Sequence, residues 1–221
     1  MRPELVLFDL DGTLVDSVPD IAWCIDRMLV EQGRPPAGEA QVRLWVGNGA
    51  ERLIKRALTG DMDAEPEDAG LFDCARQRFL DLYAGHADER SALYPGVTEG
   101  LDYVRGLGCP VGCVTNKPGR FTGPLLRSLG ILDRFDIVVS GDTLPNQKPD
   151  PLPLLHCAGQ WAARPAASVM IGDSINDIRA ARAAGFRILC VSYGYNHGRD
   201  IGAQQPDAVL ASLADLPVHL C

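Results

Sequence analysis

The chain has 221 residues, a formal net charge of −8, 46% hydrophobic and 23% charged residues. That balance is the globular average and excludes a disordered tail, a collagen-like polymer or a coiled coil. The acidic excess repels phosphate backbones, which argues against nucleic acid as a partner, and no apolar run reaches the roughly 18 residues of a membrane span.

Leu5-Val6-Leu7-Phe8 is the first of six short apolar runs. A run without polar alternation reads as a strand buried on both faces, the mark of a parallel sheet covered by helices. The Met1-Arg2-Pro3 start leads straight into it, so no signal peptide is expected. It ends in Asp9-Leu10-Asp11-Gly12-Thr13-Leu14. Two carboxylates two residues apart at a strand end, with a glycine for a sharp turn, can offer one side chain and one main-chain carbonyl to the same cation. The same residues also suit a plain turn.

The next stretch, Pro19 to Gly85, is helical in period: Ile21, Cys24, Ile25 and Met28, then Leu53, Ile54, Ala57 and Leu58, then Leu71, Phe72, Ala75, Phe79 and Leu82. Asp16-Ser17-Val18-Pro19 before it and Tyr94-Pro95-Gly96 after it carry turn and breaker chemistry. A helical domain on two hinge-like linkers is therefore predicted at 16–91, inserted in an α/β core of 1–15 and 92–221. Gly47-Asn48-Gly49 is suited either to an ordinary turn between helices or to presenting amides to a small carboxylate, with Arg43, Arg52 or Lys55 adding charge.

Helix-like stretches near 97–107, 119–129, 151–162 and 175–184 then alternate with runs at Val111–Val114, Ile137–Val139, Val169–Ile171, Ile188–Val191 and Ala208–Leu210. This alternation predicts a doubly wound α/β fold with a parallel sheet, whose ligands bind at the carboxyl ends of the strands. Polar residues fall at those ends. Thr115-Asn116-Lys117 offers a hydroxyl and turn amides for a phosphoryl oxygen, or a helix cap. Lys148-Pro149-Asp150-Pro151 sets a lysine before a rigid dipeptide, and Gly172-Asp173-Ser174-Ile175-Asn176-Asp177 puts carboxylates at a strand end and in a first helical turn. Only Lys55, Lys117 and Lys148 are lysines in a chain whose default cation is arginine, which suggests places needing a compact point charge.

Seven cysteines, an odd number without a C-x2-C pair, fit reduced thiols and a cytoplasmic location. His86, His156, His197 and His219 make no zinc-like pairing, so any metal is expected on oxygen ligands.

The order D-x-D-G-T, T-N, K-P and G-D-S-x-N-D resembles the four motifs of the haloacid dehalogenase superfamily, over essentially the whole chain. Trp45-Val46-Gly47-Asn48-Gly49-Ala50, Val114-Thr115-Asn116-Lys117-Pro118 and Tyr193-Gly194-Tyr195-Asn196-His197-Gly198 are similar to its bacterial phosphoglycolate phosphatases. The resemblance implies a Rossmann-like core with an all-helical cap and a Mg²⁺-dependent phosphomonoesterase. It implies Asp9 as nucleophile forming an aspartyl-phosphate, and Asp11 as acid and base, oriented by Thr13. It further implies Asp9, Asp11 (through its carbonyl) and Asp173 as metal ligands with Asp177 behind them, and Thr13, Thr115, Asn116 and Lys148 on phosphate or substrate. The partner would be a small phosphomonoester, and the protein a monomer or small homo-oligomer. A phosphomutase, or a phosphatase for another small ester such as a sugar phosphate, shares this core. A dehalogenase has no use for Asp11 and Asp173. A phosphorelay receiver holds its acceptor aspartate in mid-chain and has no cap.

Overall fold

The computed structural model describes residues 2–220. Its elements in chain order are β1 (Leu5–Phe8), β2 (Val15–Asp16), α1 (Val18–Glu31), α2 (Glu39–Trp45), α3 (Gly49–Thr59), α4 (Ala69–His86), β3 (Ala92–Leu93), α5 (Val97–Gly106), β4 (Val111–Val114), α6 (Gly119–Ser128), β5 (Ile137–Val139), α7 (Leu152–Gln160), β6 (Ser168–Gly172), α8 (Ile175–Ala184), β7 (Arg187–Val191), β8 (Ala208–Leu210) and α9 (Leu216–His219). The six apolar runs form one sheet in the order β5-β4-β1-β6-β7-β8, each neighbouring pair parallel. This is the α/β class that the alternation of runs and helices predicts.

Leu5, Val6, Leu7 and Phe8 are all fully buried, because the strand has helices on both sides. Val6 and Phe8 pack in one cluster with Leu101 of α5 and Leu125 of α6, while Leu5 and Leu7 face Leu154 of α7 and Ile178 of α8. The chain passes from β1 out to β4 and β5, then returns to β6 on the other side of β1. Strand order therefore reverses at β1, and a crevice opens at the carboxyl ends of β4, β1 and β6.

The helical stretch forms its own apolar cluster. Ile21, Cys24, Ile25 and Met28 of α1 meet Leu53, Ile54, Ala57 and Leu58 of α3 and Ala75, Phe79 and Leu82 of α4, the spacing that predicts these helices. Helix α2, only seven residues long, adds Val42 and Trp45. It is too short for its period to stand out in the sequence.

The connections differ from the turn reading. Val15 and Asp16 pair antiparallel with Leu93 and Ala92, so both crossings between the sheet and the helices run side by side as a two-stranded ribbon. Val18-Pro19 opens α1 instead of breaking the chain, since a first-turn proline has no N–H that the helix would miss. The six described cysteines are free, and no helix among the described residues is long and apolar enough to cross a membrane.

Candidate active site

Two neighbouring strand ends bring the carboxylates together. Asp9 follows β1, Asp173 follows β6 and Asp177 sits in the first turn of α8; all three are buried, with carboxylate oxygens within 4.8 Å of one another. Lys148, from the loop before α7, places Nζ 2.8 Å from Asp9 Oδ1 and 2.7 Å from Asp177 Oδ1. The Leu10 N–H donates to Asp9 Oδ1 at 2.7 Å. Asp177 Oδ2 accepts from the Ser174 N–H at 3.0 Å and its hydroxyl at 2.7 Å, where the start of α8 favours negative charge. Asp173 accepts from the Thr13 hydroxyl at 3.0 Å and from the Tyr195 N–H. Gly12 has φ +87°, and a Cβ there would lie 2.3 Å from Asp173 Oδ2. The glycine of the first motif is thus needed both for the turn and for the carboxylate beside it.

Three buried carboxylates share one ammonium, and the imbalance shows in the proton affinities of Asp9 and Asp173. Burial, aided by the charge on Asp177 and opposed by Lys148, pushes the Asp9 carboxyl up to about 7. Burial, then the charges of Asp9 and Asp177, hold Asp173 well above the usual carboxylate range. Burial works against the Lys148 ammonium, but Asp177 and Asp9 more than offset it and raise its pKa. An all-oxygen cluster short of positive charge fits a hard divalent cation.

A pH dependence follows. The folded chain holds protons on Asp9 and Asp173 that the unfolded chain releases near 3.8. The contribution of these two groups to the stability of the cation-free protein is therefore full below that pH and is lost as pH rises towards about 7. His197, whose pKa burial lowers, acts in the opposite sense. In the presence of a chelator, Tm is expected to fall between about pH 5 and 8, with Asp173→Asn removing part of the slope and magnesium chloride raising and flattening the curve. A Tm that climbs over this range, with the same slope in the variant, contradicts the charge reading.

The remaining predicted residues line one cavity or stand beside it. Asp9, Asp11, Thr115, Asn116, Lys117 and Lys148 form its floor, and Ile21, Val46, Gly47, Gly49, Leu53, Phe79 and Tyr83 its helical side, around about 650 Å³ of empty space partly open to solvent. The Thr115 hydroxyl accepts from the Lys117 N–H at 3.1 Å. Asn116 Nδ2 donates to the Lys148 carbonyl at 2.8 Å, while its Oδ1 has no partner. Asp11 accepts from the Ser17 hydroxyl at 2.6 Å and lies 2.9 Å from Lys117 Nζ.

Two expectations change. Thr13 is turned to Asp173, not to Asp11, and is absent from the cavity lining. Arg43 is absent from the cavity lining, and Arg52 and Lys55 line an adjoining cleft that shares Gly49, Ala50, Asn116 and Pro118 with it. Arg43 pairs with Asp16 at 3.1 Å and Glu39 at 2.8 Å, Arg52 with Glu65 at 2.8 Å, and Lys55 with Glu65 at 2.7 Å. Each pairs with a carboxylate of the helical segment or its linker. Sequence reading also misses Tyr195 and Tyr83, and it marks Asn176 only as part of a motif without the role the structure gives it: its Nδ2 donates to the Gly47 carbonyl at 2.9 Å and holds that loop on the core. Tyr195 at least lies in a stretch that the sequence marks.

Residues 6–191 match the model of the haloacid dehalogenase-like hydrolases. The chain belongs to that family. It is 57% identical over 215 residues to a phosphoglycolate phosphatase of Nitrosococcus oceani, covering 97% of this chain and 95% of that one. A phosphoglycolate phosphatase of Pseudomonas putida is 48% identical over 214 residues, 97% of this chain and 78% of its own length. Among solved structures, a predicted phosphoglycolate phosphatase from Haemophilus somnus superposes with a TM-score of 0.94 at 34% identity, covering 100% of this chain and 99% of that one. The chain is accordingly a hydrolase of the phosphatase type within this family.

Proposed function

We propose that the chain hydrolyses 2-phosphoglycolate to glycolate and phosphate through an aspartyl-phosphate on Asp9. The observation that carries the reading is the Asp9 carboxylate on the cavity floor, held by Lys148 and the Leu10 N–H beside two further buried carboxylates. Phosphate monoesters break down slowly in water, so a catalyst must place a nucleophile in line and neutralise charge on the phosphoryl oxygens.

Asp9 attacks phosphorus as the phosphorus–oxygen bond to the leaving group breaks, and Asp11 gives its proton to the departing alkoxide. Asp11, now a carboxylate, takes a proton from the water that attacks the aspartyl-phosphate, which releases phosphate and restores both groups. Lys148, the Thr115 hydroxyl and the Asn116 amide bind phosphoryl oxygens. The Asp9 carboxylate, the Asp11 carbonyl and Asp173 would hold Mg²⁺, backed by Asp177, and the bound cation would neutralise charge between nucleophile and phosphoryl group. Residues 16–91 act as a cap on the paired connections at Asp16 and Ala92, excluding water when closed. A cytoplasmic setting goes with this reading, supported by the free thiols.

One observation supports a small acid as the leaving group: the curated relatives are phosphoglycolate phosphatases. Phosphate release should be compared for 2-phosphoglycolate and a panel of sugar and other small phosphomonoesters with magnesium present. We expect kcat/KM for 2-phosphoglycolate to lead by at least about tenfold. A sugar phosphate in the lead overturns the substrate; transfer to another hydroxyl without free phosphate favours a mutase.

A further inference from the structure

Lys117 has no part in the chemistry above, yet it is one of three lysines in the chain and its ammonium is buried in the active-site cavity. Its Nζ lies 2.9 and 3.3 Å from the two carboxylate oxygens of Asp11 and 2.6 Å from the Tyr83 hydroxyl. Tyr83 belongs to α4 of the helical segment, whereas Lys117 lies in the loop between β4 and α6, and Tyr83 is 3% exposed. Its ring stacks on Phe79 at 5.5 Å and meets the edge of Phe121 at 4.9 Å, which fixes the phenol.

We infer that Lys117, braced by Tyr83 from the helical segment, is the positioning residue that holds the Asp11 side chain at the cavity. Among the described residues the Asp11 carboxylate is otherwise held by one hydroxyl, that of Ser17 on Oδ1. A two-point contact from a braced ammonium restricts its rotation, whereas one hydrogen bond does not. An alkyl leaving group departs as a strongly basic alkoxide and needs a proton donor within hydrogen-bond reach as its bond breaks, and misplacing such a donor by an ångström costs about two orders of magnitude. An aryl leaving group departs as a stable phenolate and needs no such donor.

The inference rests on the reading of Asp11 as the proton donor, and the experiment separates the two. The kcat/KM of Lys117→Met, Tyr83→Phe and Asp11→Asn is measured on 2-phosphoglycolate and on p-nitrophenyl phosphate, with magnesium and with Tm recorded for each protein. We expect Lys117→Met to lose about 100-fold on the alkyl ester and at least about tenfold less on the aryl ester, most of it in kcat. Tyr83→Phe, which removes one hydroxyl and keeps the ring, should show the same preference with a smaller loss, and it carries the test if Lys117→Met folds poorly. Equal losses on both esters by both variants, while Asp11→Asn still spares the aryl ester, overturn the positioning role. A loss confined to KM for 2-phosphoglycolate also overturns it and makes Lys117 a binding group for the substrate carboxylate. If Asp11→Asn itself fails to favour the aryl ester, the acid role of Asp11 falls and the inference falls with it.

Discussion

Asp9→Asn is expected to cut magnesium-dependent phosphate release by about 10⁴-fold or more while the protein stays folded. The amide has nearly the shape of the carboxylate but is not a nucleophile towards phosphorus. It keeps an oxygen to accept the Leu10 N–H, which lies 2.7 Å from Asp9 Oδ1. It also replaces one of three buried carboxyl groups within 4.8 Å of one another by a neutral amide. The unpartnered repulsion with Asp173 therefore falls, and the Tm measured in chelator should hold or rise, while the gain in Tm on adding magnesium should shrink. Phosphate release within tenfold of the parent would remove Asp9 from its role. A variant that loses activity because it unfolds would leave the charge argument wrong at the same point.

Lys148→Met should damage both stability and activity. Its ammonium is 3% exposed and is paired with Asp9 at 2.8 Å and Asp177 at 2.7 Å. Removing a buried cation from two carboxylates leaves uncompensated charge, a loss of about 3–5 kcal/mol at neutral pH. The catalytic loss should reach about 10²–10³-fold, because the charge that develops on the phosphoryl oxygens loses a fixed partner. The two effects separate in the double variant. Asp177→Asn added to Lys148→Met should return part of the stability, since one stranded charge is gone, and none of the activity. Denaturant unfolding of the four proteins of this cycle measures the coupling. A Lys148→Met protein as stable as its parent, or one whose activity returns in the double variant, contradicts the bridge.

The sheet and the strand-end residues were legible because both are local patterns. Leu5-Val6-Leu7-Phe8 is a buried strand whatever its neighbours, and Asp9, Thr115 and Asp173 follow directly on strands whose ends a doubly wound topology must gather. The helices of the insertion were legible where an apolar face ran for three turns or more, and α2, with seven residues, was not. What escaped reading depends on contacts between distant parts of the chain. The Arg52 and Lys55 charges look free in sequence, but the loop before α4 returns Glu65 to both of them. Thr13 looks like a partner for its neighbour Asp11, yet the turn at Gly12 sends its hydroxyl to Asp173, on another strand end. The pairing of Lys117 with Tyr83 joins residues whose proximity is set by how the helices sit on the core, which no local pattern encodes.

The account stands on a phosphoryl group carried by Asp9, and chemical trapping reads that directly. Enzyme turning over 2-phosphoglycolate with magnesium is quenched, treated with borohydride and digested. Reduction turns an aspartyl-phosphate into homoserine, which peptide mass spectrometry locates to one residue. We predict homoserine at position 9 in the parent protein and at no position in Asp9→Asn. Homoserine at another aspartate, or none under conditions where phosphate is being released, would contradict the account.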